Sequence, residues 1–155
     1  PRMLEFLGKA SPDTKPVSGN LAEALRTFAL AQRQPGVVIL VSDFFDKGEL
    51  SDSLRYLGND KIDPYAIQVL SPQEVSPDEH GLLGDLKLKD LEDDDIAEVS
   101  VTPALVKRYK ANLQAYCNHV RDECRKRGIA YMVSETSVPF ETVIMKYLRE
   151  RGLLG

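Results

Sequence analysis

The chain has 155 residues, 43% hydrophobic and 28% charged, a composition that suits one globular domain with a real core. Twenty Lys and Arg against 24 Asp and Glu leave a net charge of −4, which offers no general attraction to nucleic acid. No apolar run approaches the length needed to cross a bilayer, and no signal-peptide pattern opens the chain.

The first residue is Pro1 rather than Met, which leads to the expectation of an excised, cytoplasmic segment whose full-length protein could be anchored upstream. Residues 2–9 read as the end of a helix, and residues 11–19, rich in proline and small polar residues, read as a loop. Asn20, with Glu23 three positions later, resembles a capping box and opens a helix with the stripe Leu21, Ala24, Leu25 and Phe28. Pro35-Gly36 ends that helix. Val37 to Val41 then run without a polar break into Ser42-Asp43-Phe44-Phe45-Asp46. A run apolar on both faces reads as a central strand of a parallel sheet covered by helices. Ligands of such sheets bind just beyond the carboxyl ends of the strands, which places Asp43 at the rim.

A short helix is predicted over 49–58, with Leu50, Leu54 and Leu57 inward and Gly58 as its stop. After Pro64 a second strand spans 65–70, and residues 71–84 form a loop. Alternation over 86–89 and 97–101, around the acidic run Glu92 to Asp95, predicts a half-exposed β-hairpin. Thr102 and Pro103 start a long helix with Leu105, Tyr109, Leu113, Tyr116, Cys117, Val120 and Cys124 on one face. Gly128 ends it, a third strand covers 129–133, and a last helix covers about 139–151. Cys117 and Cys124 lie two helical turns apart, roughly 10 Å along the axis, too far for a disulfide, so both are expected as buried free thiols.

Strands separated by helices favour right-handed crossovers and a parallel sheet. Three strands make a thin core, and nothing upstream is left to pair with strand 37–42. An unpaired strand of that kind is a liability. The expectation is that N-terminal strands are missing from this chain or that another chain supplies the cover, and that the segment associates with itself.

Several residues carry a functional and a plain reading. Asp43 is a candidate metal ligand or a strand-ending polar residue. Asp46 reads first as a turn or cap residue. Phe44 and Phe45 offer a contact surface, with at least one of them in the core. Ser134-Glu135-Thr136 follows the third strand at the rim, where Ser134 can help shape a binding surface. The run Asp90 to Asp95 lacks the spacing of a calcium loop and reads as a solvated hairpin turn. The basic residues of the long helix lack interleaved aromatics, so nucleic acid is not an expected partner. His80 and His119 show no zinc or triad spacing.

The ordered set Ser42-Asp43-Phe44-Phe45-Asp46, Leu70-Ser71-Pro72-Gln73-Glu74-Val75-Ser76-Pro77, Gly84, Asp90-Leu91-Glu92, Tyr109, Gly128 and Pro139 to Leu148 resembles the second half of a von Willebrand factor type A domain. More closely, it resembles the uncharacterised bacterial family called domain of unknown function 58. The resemblance implies an α/β, Rossmann-like parallel sheet flanked by helices, here a single partial domain over 1–155 with an inserted β-hairpin. It implies a metal-ion-dependent adhesion site at the sheet top, with Mg2+ in the complete protein. Such a site takes an Asp-x-Ser-x-Ser loop, a Thr from a second loop and an Asp after a later strand. Asp43 matches the last of these. Gly19 stands at the Thr position with Ser18 beside it, and the Asp-x-Ser-x-Ser loop does not occur in this sequence, so the ligand set is incomplete here. The implied function is a non-catalytic protein-interaction module, an adaptor to a MoxR-type AAA+ ATPase, meeting its partner through Ser42, Phe44, Phe45 and Ser134. The alternative is a metal-dependent phosphoester hydrolase using Asp43 and Asp46, although no nucleophile with an activating base accompanies them.

Overall fold

The computed structural model describes residues 5, 8, 9, 20–32, 34–46, 48–58, 61–89, 96–139, 141–143 and 145. In chain order these form helix α1 (Leu21–Ala31), strand β1 (Gly36–Ser42) and helix α2 (Leu50–Leu54), which tightens into a 3₁₀ turn over Arg55–Leu57. There follow β2 (Ile62–Leu70), the single-turn helix α3 (Pro72–Val75), β3 (Gly84–Lys89), β4 (Ile96–Val101), the long helix α4 (Pro103–Lys126) and β5 (Ala130–Glu135). Most of the helix end over 2–9 and most of the helix over 139–151 lie outside the described residues, as does the acidic hairpin turn.

Three strands make a parallel sheet in the order β1-β2-β5, and β3 and β4 form a separate antiparallel pair. The α/β architecture with a parallel sheet flanked by helices is the one expected from the alternation of elements. Among the described residues strand 37–42 has a strand neighbour on one side only, as expected from the lack of an upstream strand to pair with it. Among the described residues β2 is the central strand and β1 stands at the edge. β2 is buried at every second residue along one face, from Ile62 through Ala66 and Gln68 to Leu70. β1 packs Val38 and Leu40 against the core and leaves Val37, Ile39 and Val41 outward. An apolar run identifies a strand built for burial on both faces; it does not identify its neighbours.

β2 also starts three residues earlier than predicted, with Pro64 inside it opposite Val38. Pairing to β5 begins only at Tyr65, so at Pro64 the strand has one neighbour, the setting in which a residue without an N–H is tolerated. The loop after β2 contains a full capping box: Ser71 Oγ accepts from the Glu74 N–H and the Glu74 carboxylate accepts from the Ser71 N–H. At the predicted box on α1, Asn20 Oδ1 accepts from the Glu23 N–H at 2.7 Å. Thr102 caps α4 through the Leu105 N–H, and Gly128, at φ +69°, turns the chain back into β5.

One core joins the layers. Leu25 of α1, Leu54 and Leu57 of the α2 segment, Ile62 and Ala66 of β2, and Val120 and Cys124 of α4 pack with Phe44 and Ile129. Both cysteines are free and buried, as their spacing requires. Burial pushes the Cys124 thiol up to about 11, so it is a packing residue and not a nucleophile.

The end of α4 is tied to α2 by charge. Arg127 donates to the Glu123 carboxylate at 2.7 Å and to the Ser51 carbonyl at 3.1 Å. Lys126 adds a second contact to Glu123 at 2.5 Å. These cations hold the Glu123 carboxyl down at about 2, below its ordinary 4.5. A carboxyl depressed by folding stabilises the fold fully above its ordinary value, and that contribution disappears as pH falls toward the folded value. Thermal unfolding followed from neutral pH into acid is expected to show a falling midpoint between about 4.5 and about 2, and Glu123→Gln is expected to flatten that part of the curve. An unchanged acid limb in Glu123→Gln would remove Glu123 from the set of pH-sensing contacts.

Candidate functional site

The chain leaves β1 through a turn that is held from inside. Ser42 Oγ accepts from the Phe44 N–H at 3.0 Å, and Asp43 Oδ1 accepts from the Phe45 N–H at 3.0 Å. Both are side-chain turns of the kind that let Ser and Asp replace a backbone partner. Between them Phe44 takes φ +64°, a conformation that a bulky residue holds only when its surroundings dictate it. Here they do. Its ring is 1% exposed in the core, and its carbonyl accepts from the Tyr116 hydroxyl on α4. The Asp43 carbonyl accepts from Gln68 Nε2 at 2.8 Å.

This geometry sorts the rim residues. Asp43 is exposed, and Phe45 is 43% exposed with its ring 5.7 Å from that of Tyr116. Phe44 belongs to the core and offers no surface, which corrects its assignment as a partner contact: the left-handed turn drives its ring inward. Ser42 is engaged with the Phe44 amide and acts on the turn itself.

Asp46 has a different task. Its Oδ2 accepts from the Leu21 N–H at 2.7 Å and its Oδ1 from the Gly48 N–H at 2.6 Å. It therefore stops one orphan donor at the start of α1 and closes the turn that follows β1. A Cβ at Gly48 would meet Asp46 Oδ1 at 2.8 Å, so the absence of a side chain there belongs to the same arrangement.

Ser134 is not on the same face of the sheet as Ser42. From β5 it pairs with Val69 of β2, whereas Ser42 pairs with Gln68. Neighbouring positions along β2 point to opposite faces, so Ser42 and Ser134 lie on opposite faces of the sheet. On that far side Ser134 lines a concavity of about 570 Å³ with Ile67, Val69 and Val143. His80 and His119 are exposed on separate elements.

The described residues do not fit a divalent cation. Such an ion takes about six oxygens, and among the described residues no three His, Cys, Asp or Glu side chains come together to hold one. Asp46, the nearest second carboxylate along the chain, already accepts from two backbone donors.

Gln68 and Tyr116 are the residues that sequence reasoning missed. Gln68 is fully buried in β2, donates to the Asp43 carbonyl and accepts from the Tyr131 hydroxyl. A single amide inside Tyr-Ala-Ile-Gln-Val-Leu was the available signal, because a buried amide needs partners. Burial raises the Tyr116 hydroxyl above its ordinary range, with Asp43 and Asp46 adding to the effect, so it stays a neutral donor. Gln68→Leu leaves the Asp43 carbonyl and the Tyr131 hydroxyl without this partner, and a loss of about 1–3 kcal/mol for each orphaned group is expected in denaturant unfolding. Tyr116→Phe is expected to cost about 1 kcal/mol. Full stability in both variants would show that the turn stands without its braces.

The sequence model of the family described as protein of unknown function DUF58 matches residues 1–119. The uncharacterized proteins Mb1516 of Mycobacterium bovis and Rv1480 of Mycobacterium tuberculosis are each 28% identical to this chain over 142 residues. That match covers 90% of this chain and 43% of each relative, so the chain spans less than half the length of these relatives. No solved structure matches. The match over most of the chain makes it a member of the DUF58 family of proteins of unknown function.

Proposed function

We propose that this chain is a protein-interaction module whose partner meets the carboxyl-end rim of the sheet at Asp43 and Phe45. The supporting observation is the braced turn over 42–46. Its hydrogen bonds and the buried Phe44 ring fix one exposed carboxylate and one half-exposed aromatic ring side by side. A rigid aromatic next to a charge is the composition of an anchoring contact, because little side-chain freedom is lost on binding. The resemblance to von Willebrand factor type A domains supports a protein ligand, and the partner it implies is a MoxR-type AAA+ ATPase. A cation at Asp43, if Mg2+ bridges the two proteins, draws its other oxygens from outside the described residues or from the partner.

The hydrolase reading has less support. Asp46 is occupied by two backbone N–H groups, and among the described residues no three His, Cys, Asp or Glu side chains gather to hold a metal for phosphoester cleavage.

Binding of a MoxR-type ATPase from the same organism, measured by calorimetry with and without Mg2+, tests the proposal. Phe45→Ala and Asp43→Asn are each expected to weaken binding by about tenfold or more, the scale of an anchoring residue, while Ser134→Ala leaves it unchanged. Equal affinity in all variants would overturn the rim as the contact. Turnover of a generic phosphoester that Asp43→Asn abolishes would favour the hydrolase.

A further inference from the structure

We infer that the groove between the β3–β4 hairpin and the first turns of α4 holds a peptide segment of a partner protein that presents a bulky apolar side chain next to a lysine or arginine. The groove has a volume of about 360 Å³, within the range of roughly 300–1,000 Å³ typical of ligand sites. Its walls come from three segments. Pro77 and Leu82 belong to the loop after β2, Leu86 and Val99 to facing positions of the hairpin, and Leu105 and Tyr109 to α4. Val101 lines it too, and Gly84, its partner across the hairpin, has no side chain to fill the space beside it. The other face of the hairpin is polar, with Asp85 opposite Ser100 and Lys87 opposite Glu98. The groove therefore lies on the apolar side of the hairpin.

The walls are fixed before anything enters. The capping box holds α3, Thr102 caps the start of α4, and Lys110 meets Asp78 at 2.6 Å, which pins the loop beside Pro77 to the helix. Preformed walls lower the ordering cost of binding. The chemistry of the occupant follows from the one charged residue in the lining, Glu74. Its Oε2 accepts from the Ser71 N–H at 2.6 Å, and among the described residues no lysine or arginine is paired with it. Burial raises the Tyr109 hydroxyl above its ordinary range and the charge of Glu74 adds to the effect, so a neutral hydroxyl stands near the carboxylate. A half-buried carboxylate in an apolar groove attracts a cation and repels an acid. A wholly apolar ligand would leave that carboxylate without a partner, whereas an apolar side chain with a cation beside it matches both parts of the lining. Tyr109 also lies seven residues from Tyr116 on the same face of α4, roughly 10 Å along the axis, which aligns the groove with the rim at Phe45. One partner can use both, yet occupancy of the groove does not require the rim contact.

Methyl NMR of this chain titrated with the peptide acetyl-Leu-Phe-Arg-amide tests this, with the same peptide carrying neutral citrulline in place of arginine as the control. The arginine peptide is expected to shift the methyls of Leu82, Leu86, Val99, Val101 and Leu105. It is expected to bind about tenfold more tightly than the citrulline peptide, the scale of one charge-assisted contact. Glu74→Gln keeps a side chain that can close the capping box and is expected to erase that preference. Leu105→Lys, at a position 39% exposed, is expected to abolish binding of both peptides. Phe45→Ala is expected to leave the peptide bound, so a failed rim contact and a failed groove give different results. Equal affinity for the two peptides would overturn the inference by making the groove a site for an uncharged ligand. The absence of shifts at these methyls would overturn it as well. So would groove shifts that follow protein concentration with no peptide present, by making a second copy the occupant.

Discussion

A strained turn held by buried hydrogen bonds organises the rim of this protein. Phe44 sits in the left-handed region, which costs a bulky side chain about 1 kcal/mol or more. The compensation is local and specific: its ring fills the core, Ser42 takes its amide, and Tyr116 reaches from α4 to its carbonyl. Gln68 holds the preceding carbonyl from the neighbouring strand. The turn is therefore fastened to its own strand, to the strand beside it and to the helix layer above. Without those attachments the chain would leave β1 in an extended path, and Asp43 and Phe45 would have no fixed relation.

The same logic joins the rim to the rest of the molecule. Asp46 carries the exit of β1 to the start of α1, so the helix that enters the strand is capped by the residue that leaves it. At the other end of the helical layer, Arg127 bridges Glu123 to the Ser51 carbonyl and fixes α4 over α2. Polar groups in these places are not decoration on an apolar core. Each is a buried or half-buried bond between segments far apart in sequence, and each specifies how the layers meet.

Much of the architecture was legible in the residues. Apolar periodicity located the strands and helices, Thr102 and Asn20 marked helix starts, and the spacing of Cys117 and Cys124 excluded a disulfide. The burial of one of the two phenylalanines was also legible, but not which one, because a positive φ at Phe44 is set by contacts with Tyr116 and Gln68 that no local pattern encodes. The order of strands was not legible for a related reason. Hydrophobicity reports how much of a strand wants cover, and β1 wants cover on both faces, but its neighbours are chosen by the whole chain. Ser134 was grouped with Ser42 because both stand at the ends of predicted strands. The pleat sends them to opposite faces, and register is a property of pairing that a single sequence does not display.

Fluorine-labelled phenylalanine at positions 44 and 45, read by NMR with a soluble paramagnetic agent, tests the central claim most directly. The braced turn predicts a Phe44 signal shielded from the agent and a Phe45 signal broadened by it. Equal broadening of the two rings, or shielding of Phe45 with exposure of Phe44, would contradict the turn and the surface built on it.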